Sequence, residues 1–146
     1  SRHLEQKYGV RSLEESAARL CRLVDEAPHA RLIFVAHNGP SGLGARRHDI
    51  WGCDFRRAEG DFGDSDLRAA VDHAQSSGKR VLAVVAGHMH HRLKGGGERR
   101  WLVERAGVLY VNAARVPRID GDGRRYHVRL ETDGETARAE LIAVTA

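Results

Sequence analysis

The chain has 146 residues, of which 41% are hydrophobic and 30% charged, so it can fill the core of one domain, and bulk disorder is excluded. Its apolar runs are too short to span a membrane, and its two cysteines are too few for a disulfide framework, which favours a reducing compartment. The net charge of +4, carried mostly by arginine, favours anionic partners.

Two helix–strand pairs are predicted in the first part of the chain. Ser12 and Glu15 have the spacing of a capping box at the start of a helix, and apolar residues recur at helical spacing after it. Both strand runs are continuously apolar, so we expect both strands to be buried on both faces of a sheet. The four elements are a helix over 12–27, a strand over 31–36, a helix over 65–76 and a strand over 81–86.

Residues 37–64 separate the first strand from the second helix. They contain six glycines, one proline and many charged residues, a composition typical of a loop. Loops of this length are uncommon in compact domains and are usually functional or disordered. We therefore predict a long functional loop over 37–64.

The last third of the chain is predicted to consist mainly of strands. Asp133-Gly134 lies between two runs in which apolar and polar residues alternate, which is a strong hairpin signal. The pattern predicts one α/β domain that ends in an antiparallel sheet. The predicted strands lie over 99–104, 108–111, 126–130 and 137–141.

Arginines cluster at two places outside the predicted helices. Arg46, Arg47, Arg56 and Arg57 lie in the long loop and are candidates for holding a substrate phosphate bidentately, with a solvated loop surface as the alternative. The arginines around the glycine turn at 95–97, Arg99 among them, are expected to lie on a solvated hairpin.

Both predicted buried strands run directly into histidine. His37 follows the first strand, and His88, His90 and His91 follow the second. In open α/β sheets, ligands bind beyond the carboxyl ends of the strands, and neutral imidazole is a common metal ligand. A single histidine at a strand end is more often a hydrogen-bonded turn residue, but two such sites together favour metal binding. Asn112, at the end of a later strand, is a candidate for supporting the site from behind.

Two blocks, His-Asn-Gly at 37–39 and Gly-His-Met-His at 87–90, resemble the last two signature blocks of the calcineurin-like metallophosphoesterases. Further blocks extend this resemblance to about residues 8–119. The resemblance implies an α/β/β/α sandwich that holds two divalent metal ions a few ångströms apart. Two such ions would bind phosphoryl oxygens and activate a water molecule for attack on phosphorus.

The same resemblance implies roles for individual residues. His37 and His88 would hold one metal ion and His90 the other, the metals being Mn, Fe, Zn or similar. Asn38 lies beside the first ligand in the sequence. Together with Arg46 and Arg47, it is a candidate for substrate binding. His91 has no ligand role in the family pattern, so it is expected to lie behind the ligands or at the surface.

The earlier signature blocks of the family have no counterpart upstream of His37. These blocks, Asp-x-His, Gly-Asp-x-x-Asp and Gly-Asn-His, supply the remaining ligands and the histidine that protonates the leaving group. Residues 60–64 spell the second block, but they lie within the loop, so Asp61 and Asp64 are expected to be loop and helix-start acids. The resemblance therefore implies that residues 1–146 form only the C-terminal half of a phosphoesterase domain, with no assigned catalytic residue.

The expected function is metal-dependent hydrolysis of phosphate mono- or diesters, with the other ligands supplied by an N-terminal half in the same or another chain. The isolated chain is expected to bind metal poorly and to hydrolyse little. The alternatives are a non-catalytic remnant, a basic module that binds nucleic acid or phosphate, and a structural zinc site that adds Cys53 to the histidines. For an enzyme, nucleic acid is expected only as a substrate. Because no apolar signal region is seen, the default expectation is a cytoplasmic protein without membrane association.

Overall fold

The computed structural model describes residues 2–145, which form a mixed α/β structure in three layers. The helices are α1 (Arg2–Tyr8), α2 (Leu13–Glu26) and α3 (Ser65–Ser76). The strands are β1 (Arg31–Val35), β2 (Arg80–Ala86), β3 (Leu102–Arg105), β4 (Val108–Asn112), β5 (Arg125–Thr132) and β6 (Ala137–Val144). Strands β1 to β4 form one sheet, and β5 and β6 form a separate hairpin, so the coarse α/β fold predicted from the sequence is confirmed.

The four-stranded sheet has the order β1-β2-β4-β3. Strands β1, β2 and β4 run parallel, and β3 runs antiparallel to β4. The carboxyl ends of the three parallel strands therefore lie at the same edge of the sheet. In open α/β sheets this edge is where ligands bind, so the topology brings the segments after β1, β2 and β4 to one place.

Two local signals in the sequence are confirmed by hydrogen bonds. The backbone N–H of Glu15 donates to the hydroxyl oxygen of Ser12 at 3.2 Å, which caps α2 at its N-terminus. The Glu15 carboxylate accepts from the N–H of Arg11 at 2.7 Å, so the reciprocal bond to Ser12 that a capping box would have is replaced by one to its neighbour. Between β5 and β6, Asp133 accepts hydrogen bonds from the backbone N–H and the hydroxyl group of Thr136. Hydrogen bonds of this kind, together with one from the N–H of Glu135, lower the pKa of Asp133 to about 2.

The core is divided into two apolar clusters on opposite faces of the sheet. The larger cluster lies between the sheet and helices α2 and α3, and it includes Val24, Val71 and Val84. The smaller cluster lies between the sheet and the hairpin, and it includes Ala83 and Val111. Among the described residues, no helix has the length and apolar character needed to cross a membrane.

Strand β1 is not buried on both faces, so that prediction is wrong. Phe34 packs into the cluster under the helices, but on the opposite face Ile33 is 40% and Val35 is 83% exposed. The cluster under the hairpin is built on β2 and β4. The hairpin therefore does not cover β1, which is an edge strand of the sheet. A continuous apolar run therefore marks β1 as a strand but does not show which neighbours cover it.

The long loop after β1 folds back on itself. The backbone N–H of Asp64 donates to the carbonyl of Gly39 at 2.7 Å, and the N–H of Phe62 donates to the carbonyl of Trp51 at 2.9 Å. Trp51 is 1% exposed, and its indole ring lies directly on Gly39. Only a residue without a side chain fits under this ring, so the indole sets the shape of the loop where it leaves β1.

We predict that Gly39→Ala destabilises the protein, because the added methyl group would overlap the indole of Trp51. Overpacking of this kind typically costs about 1–3 kcal/mol of unfolding free energy. Gly121→Ala is the matched control, because a methyl group there meets no atom within 4 Å. Urea unfolding of both variants checks the prediction, and equal midpoints for Gly39→Ala and the parent chain would contradict it.

Candidate functional site

The segments that follow the three parallel strands are joined by backbone hydrogen bonds beyond the strand ends. The N–H of Gly87 donates to the carbonyl of His37 at 3.0 Å, and the N–H of Ala113 donates to the carbonyl of Ala86 at 2.7 Å. The N–H of His91 donates to Ala114 at 3.2 Å. The three segments therefore form one connected platform, on which side chains can hold fixed positions.

His37 and His88 meet on this platform. The Nε2 atom of His37 lies 3.0 Å from Nδ1 of His88, and their ring centroids are 4.8 Å apart. This separation is hydrogen-bond distance, and which ring donates depends on which nitrogen carries the proton. Two imidazole nitrogens that bind one zinc ion at about 2.0–2.1 Å in tetrahedral geometry lie about 3.3 Å apart. Both rings are exposed to solvent. The two nitrogens are thus hydrogen-bonded to each other and lie close to the spacing of two ligands on one metal ion.

The backbone at His88 is in an unusual conformation. Its φ angle is +67°, in the left-handed region that residues with a Cβ atom rarely adopt. Such a conformation costs about 1–2 kcal/mol, and residues that hold it tend to cluster at functional sites. The strained backbone carries the ring whose Nδ1 atom faces His37.

His90 is also exposed and lines the same cavity as the other two histidines. Within residues 2–145, however, no group of three or more His, Cys, Asp or Glu side chains is arranged to hold a metal ion. The structure therefore brings together His37 and His88, the pair expected on one ion, without a third ligand. Cys53 is 1% exposed and forms no such group with the histidines, so the alternative of a structural zinc site gains no support.

A cavity of about 510 Å³ opens at the carboxyl ends of the strands. The three histidines line it together with Arg115 and Arg118 from the segment after β4. No aspartate or glutamate of the described chain is among its lining residues. The cavity is therefore bordered by imidazole and guanidinium groups, which suits an anionic ligand.

Asn112 supports the platform from behind, in the region expected from its position at a strand end. Its side chain is fully buried, and Nδ2 donates to the carbonyls of Ile50 at 3.1 Å and Met89 at 2.6 Å. Its Oδ1 accepts from the N–H of Ala114 at 3.0 Å. One amide thus connects the long loop, the segment after β2 and the segment after β4.

His91 lies behind the platform and is 2% exposed. Its Nε2 donates to the carbonyl of Asn112 at 2.7 Å, and its ring stacks on Trp101 at a centroid distance of 6.4 Å. Burial lowers the pKa of His91 below the ordinary value for imidazole, which favours the neutral ring. Its position agrees with a supporting role.

The residues predicted to contact substrate lie elsewhere. Asn38 is 6% exposed, and its Nδ2 donates to the carbonyl of Phe62 at 2.7 Å and to Oδ1 of Asp64 at 3.0 Å, so its amide closes the base of the long loop. Arg46 and Arg47 are exposed, and neither lines the cavity.

The local contacts of these loop residues are short-range. The backbone N–H of Arg46 donates to Asp49 at 2.9 Å, and Nε of Arg47 lies 3.5 Å from the carboxylate of Glu59. Asp61 accepts from the N–H groups of Gly42 and Gly63, so it is a loop acid, as expected.

Arg115 and Arg118 were not identified from the sequence as cavity residues. The signal was present, because both follow the third parallel strand and ligands bind beyond the carboxyl ends of such strands.

Arg99 is buried, which contradicts its predicted place on a solvated hairpin. It is 3% exposed, and its Nη2 lies 3.0 Å from Oδ1 of Asp54 in an ion pair. Burial lowers the pKa of Arg99 from its usual high value, while the charge of Asp54 raises it. The guanidinium satisfies carbonyl groups that would otherwise be buried without donors. Its acceptors are the backbone carbonyls of Arg47, Asp49, Gly52 and His90.

We predict that Arg99→Met lowers the free energy of unfolding by about 3–5 kcal/mol, because it leaves the Asp54 carboxylate without its buried partner. The neighbouring Arg100→Met is the matched control, since the Arg100 side chain is 64% exposed. A surface change of that kind typically stays within about 0.5 kcal/mol. Chemical denaturation measures both effects, and similar losses for the two variants would refute the special role of Arg99.

Comparison with protein-family models, with curated proteins and with solved structures found no match to the chain. The resemblance of the histidine blocks to the metallophosphoesterases therefore stands on the residues of this chain alone.

Proposed function

We propose that the chain contributes to a metal-dependent hydrolase of phosphate mono- or diesters, of the calcineurin-like metallophosphoesterase type. In this proposal His37 and His88 hold one divalent ion, and His90 contributes to a second. The observation that carries it is the 3.0 Å separation between Nε2 of His37 and Nδ1 of His88 at adjacent ends of parallel strands. Supporting it, the two rings face a cavity without carboxylates among its described lining residues, which suits a phosphate ester.

The role of the protein at this site is mainly to fix positions. The hydrogen bond from Gly87 to the His37 carbonyl holds the two strand ends together. On one side of His90, Asn112 donates to the carbonyl of Met89, and on the other side the N–H of His91 donates to Ala114, which Asn112 also holds. Divalent ions, when bound, polarise the phosphoryl group and lower the pKa of a bound water molecule. With the backbone fixed in this way, the two facing nitrogens would exchange their hydrogen bond for bonds to one ion.

The proposed site is incomplete within this chain. Three imidazoles divided between two ions leave most coordination positions without a protein ligand, and hard divalent ions favour carboxylates as further ligands. In the resembling family, blocks with no counterpart upstream of His37 supply those carboxylates. We propose that a further segment, from the same product or another chain, supplies them here.

The edge of the sheet at β1 supports the proposal that a further segment completes the site. Strand β1 pairs with β2 on one side, and at its other side Leu20 and Leu23 of α2 join Leu32 and Phe34 in an apolar groove. Leu23 is 56% exposed. A strand and a helix added along this edge would cover the groove and extend the sheet. The helix layer, the sheet and the hairpin would then form part of the α/β/β/α sandwich implied by the resemblance.

We predict weak but specific zinc binding by the isolated chain, because two imidazole nitrogens face each other close to ligand spacing. Isothermal titration with Zn²⁺ should show binding that His37→Ala and His88→Ala each abolish, since a single remaining imidazole holds the ion poorly. His127→Ala is the matched control, because His127 is an exposed histidine on β5 and does not line the cavity. Zinc binding that survives in both site variants would refute the proposed ligands.

We also predict that the isolated chain hydrolyses bis-p-nitrophenyl phosphate only slowly in the presence of Mn²⁺. The reason is that the carboxylate ligands and a group to protonate the leaving oxygen are missing from the proposed site. Absorbance of released p-nitrophenol measures the rate, with His88→Ala as the background. Fast turnover that depends on His88 would show that the chain needs no further segment.

A further inference from the structure

We propose that Arg115 and Arg118 form a phosphate-binding subsite in the cavity that they share with the histidines. The subsite would take a second phosphate group of a ligand, additional to the one at the histidine pair. This inference deepens the proposed function and rests on it for the position of the reacting phosphoryl group. The binding of phosphate by the arginines does not itself depend on a metal ion.

The backbone of both arginines is fixed by neighbouring elements. The N–H of Arg115 donates to the carbonyl of Ala113 at 2.9 Å, next to Ala114, which Asn112 and His91 hold from both sides. The carbonyl of Arg118 accepts from the N–H of Tyr126 at 2.7 Å, which ties the segment to β5. The segment between β4 and β5 thus presents both guanidinium groups from an anchored backbone.

The side chain of Arg115 is held in place before any ligand binds. Its Nη1 lies 3.0 Å from Oε1 of Glu98, and its guanidinium carbon lies 4.9 Å from the ring centroid of Tyr126. These contacts restrict its rotamers, so less side-chain entropy is lost when it binds an anion. A guanidinium has five N–H donors, and the contact with Glu98 engages Nη1, so donors remain for a phosphate group.

The charges around the cavity favour a second anion at this place. Glu98 is 67% exposed and is not among the lining residues, so the carboxylate that fixes Arg115 stays outside the cavity. The histidines and the two arginines border the same space, and apolar residues such as Val35 and Val116 fill part of the wall. A ligand with two phosphate groups can therefore place one at the histidines and the other at the arginines.

A purely structural role is the competing explanation for Arg115, because its contact with Glu98 joins two surface segments. The two roles differ in their effect on phosphate affinity. A structural arginine would change stability and leave phosphate binding as it was, whereas a subsite arginine would change phosphate binding in a folded protein. Glu98→Gln separates them further, because the amide oxygen can still accept the hydrogen bond from Arg115 while the competing negative charge is gone, so phosphate should bind more tightly.

Titration calorimetry with inorganic phosphate, in the presence of EDTA, tests the subsite on the whole chain. The double variant Arg115→Gln/Arg118→Gln should bind phosphate about tenfold more weakly or worse, since charge-assisted hydrogen bonds are lost. The double variant Arg56→Gln/Arg57→Gln loses the same charge from exposed loop positions outside the cavity, so it should bind like the parent chain. Circular dichroism confirms that each variant is folded.

Phosphate affinity that is equal in the parent chain and in the Arg115/Arg118 double variant would overturn the subsite. So would an equal loss in the Arg56/Arg57 double variant, since it would show a general effect of charge. Zinc titration of the same variants keeps the two proposals apart, because the Arg115/Arg118 double variant keeps the imidazole ligands and should still bind zinc. Arginine-dependent phosphate binding without zinc binding would refute the metal site alone, and the reverse result would refute the subsite alone.

Discussion

The candidate site depends on a buried guanidinium that does not itself line the cavity. Arg99 donates to carbonyl groups of the long loop and to the carbonyl of His90, and it pairs with Asp54. A buried loop exposes many carbonyl groups to an apolar environment, and each is costly if it has no donor. The Arg99 guanidinium has five N–H donors, so this one side chain can donate to several buried carbonyl groups. The loop after β1 and the histidine segment after β2 therefore hold their positions together.

Parallel strands explain why the chemistry is concentrated at one edge. The segments that follow β1, β2 and β4 begin at the same edge of the sheet, because these strands are parallel. Asn112 links these segments through the hydrogen bonds of its amide. The left-handed backbone at His88 turns the chain where a regular strand would have continued. The strain at that residue is offset by the network around it, since backbone bonds on both sides of the segment are satisfied.

Helices α2 and α3, the strands and the histidines at the strand ends could be predicted from the sequence because they depend on local patterns, whereas α1 was not predicted. Helix caps, apolar periodicity and the Asp133-Gly134 turn each depend on a few neighbouring residues. Once the strands are predicted, the site follows, because ligands in open α/β sheets bind beyond the carboxyl ends of the strands. The exposed face of β1 and the burial of Arg99 depend on contacts between distant segments, which no local pattern encodes. Asn38 shows the same limit, since its amide is used by Phe62 in a loop whose path cannot be inferred from composition.

The open edge of the sheet and the proposed metal site are physically linked. Val35 is 83% exposed on the sheet face opposite the helices and directly precedes the segment that carries His37. A segment that docks along β1 and packs over this face would therefore also remove water from around the histidine pair. Charges interact more strongly where water is excluded, so the same cover would strengthen the hold of imidazoles and carboxylates on a divalent ion. By thermodynamic linkage, an ion that binds the completed site more tightly must in turn stabilise the completed sheet. Metal affinity and docking along β1 are therefore expected to rise and fall together.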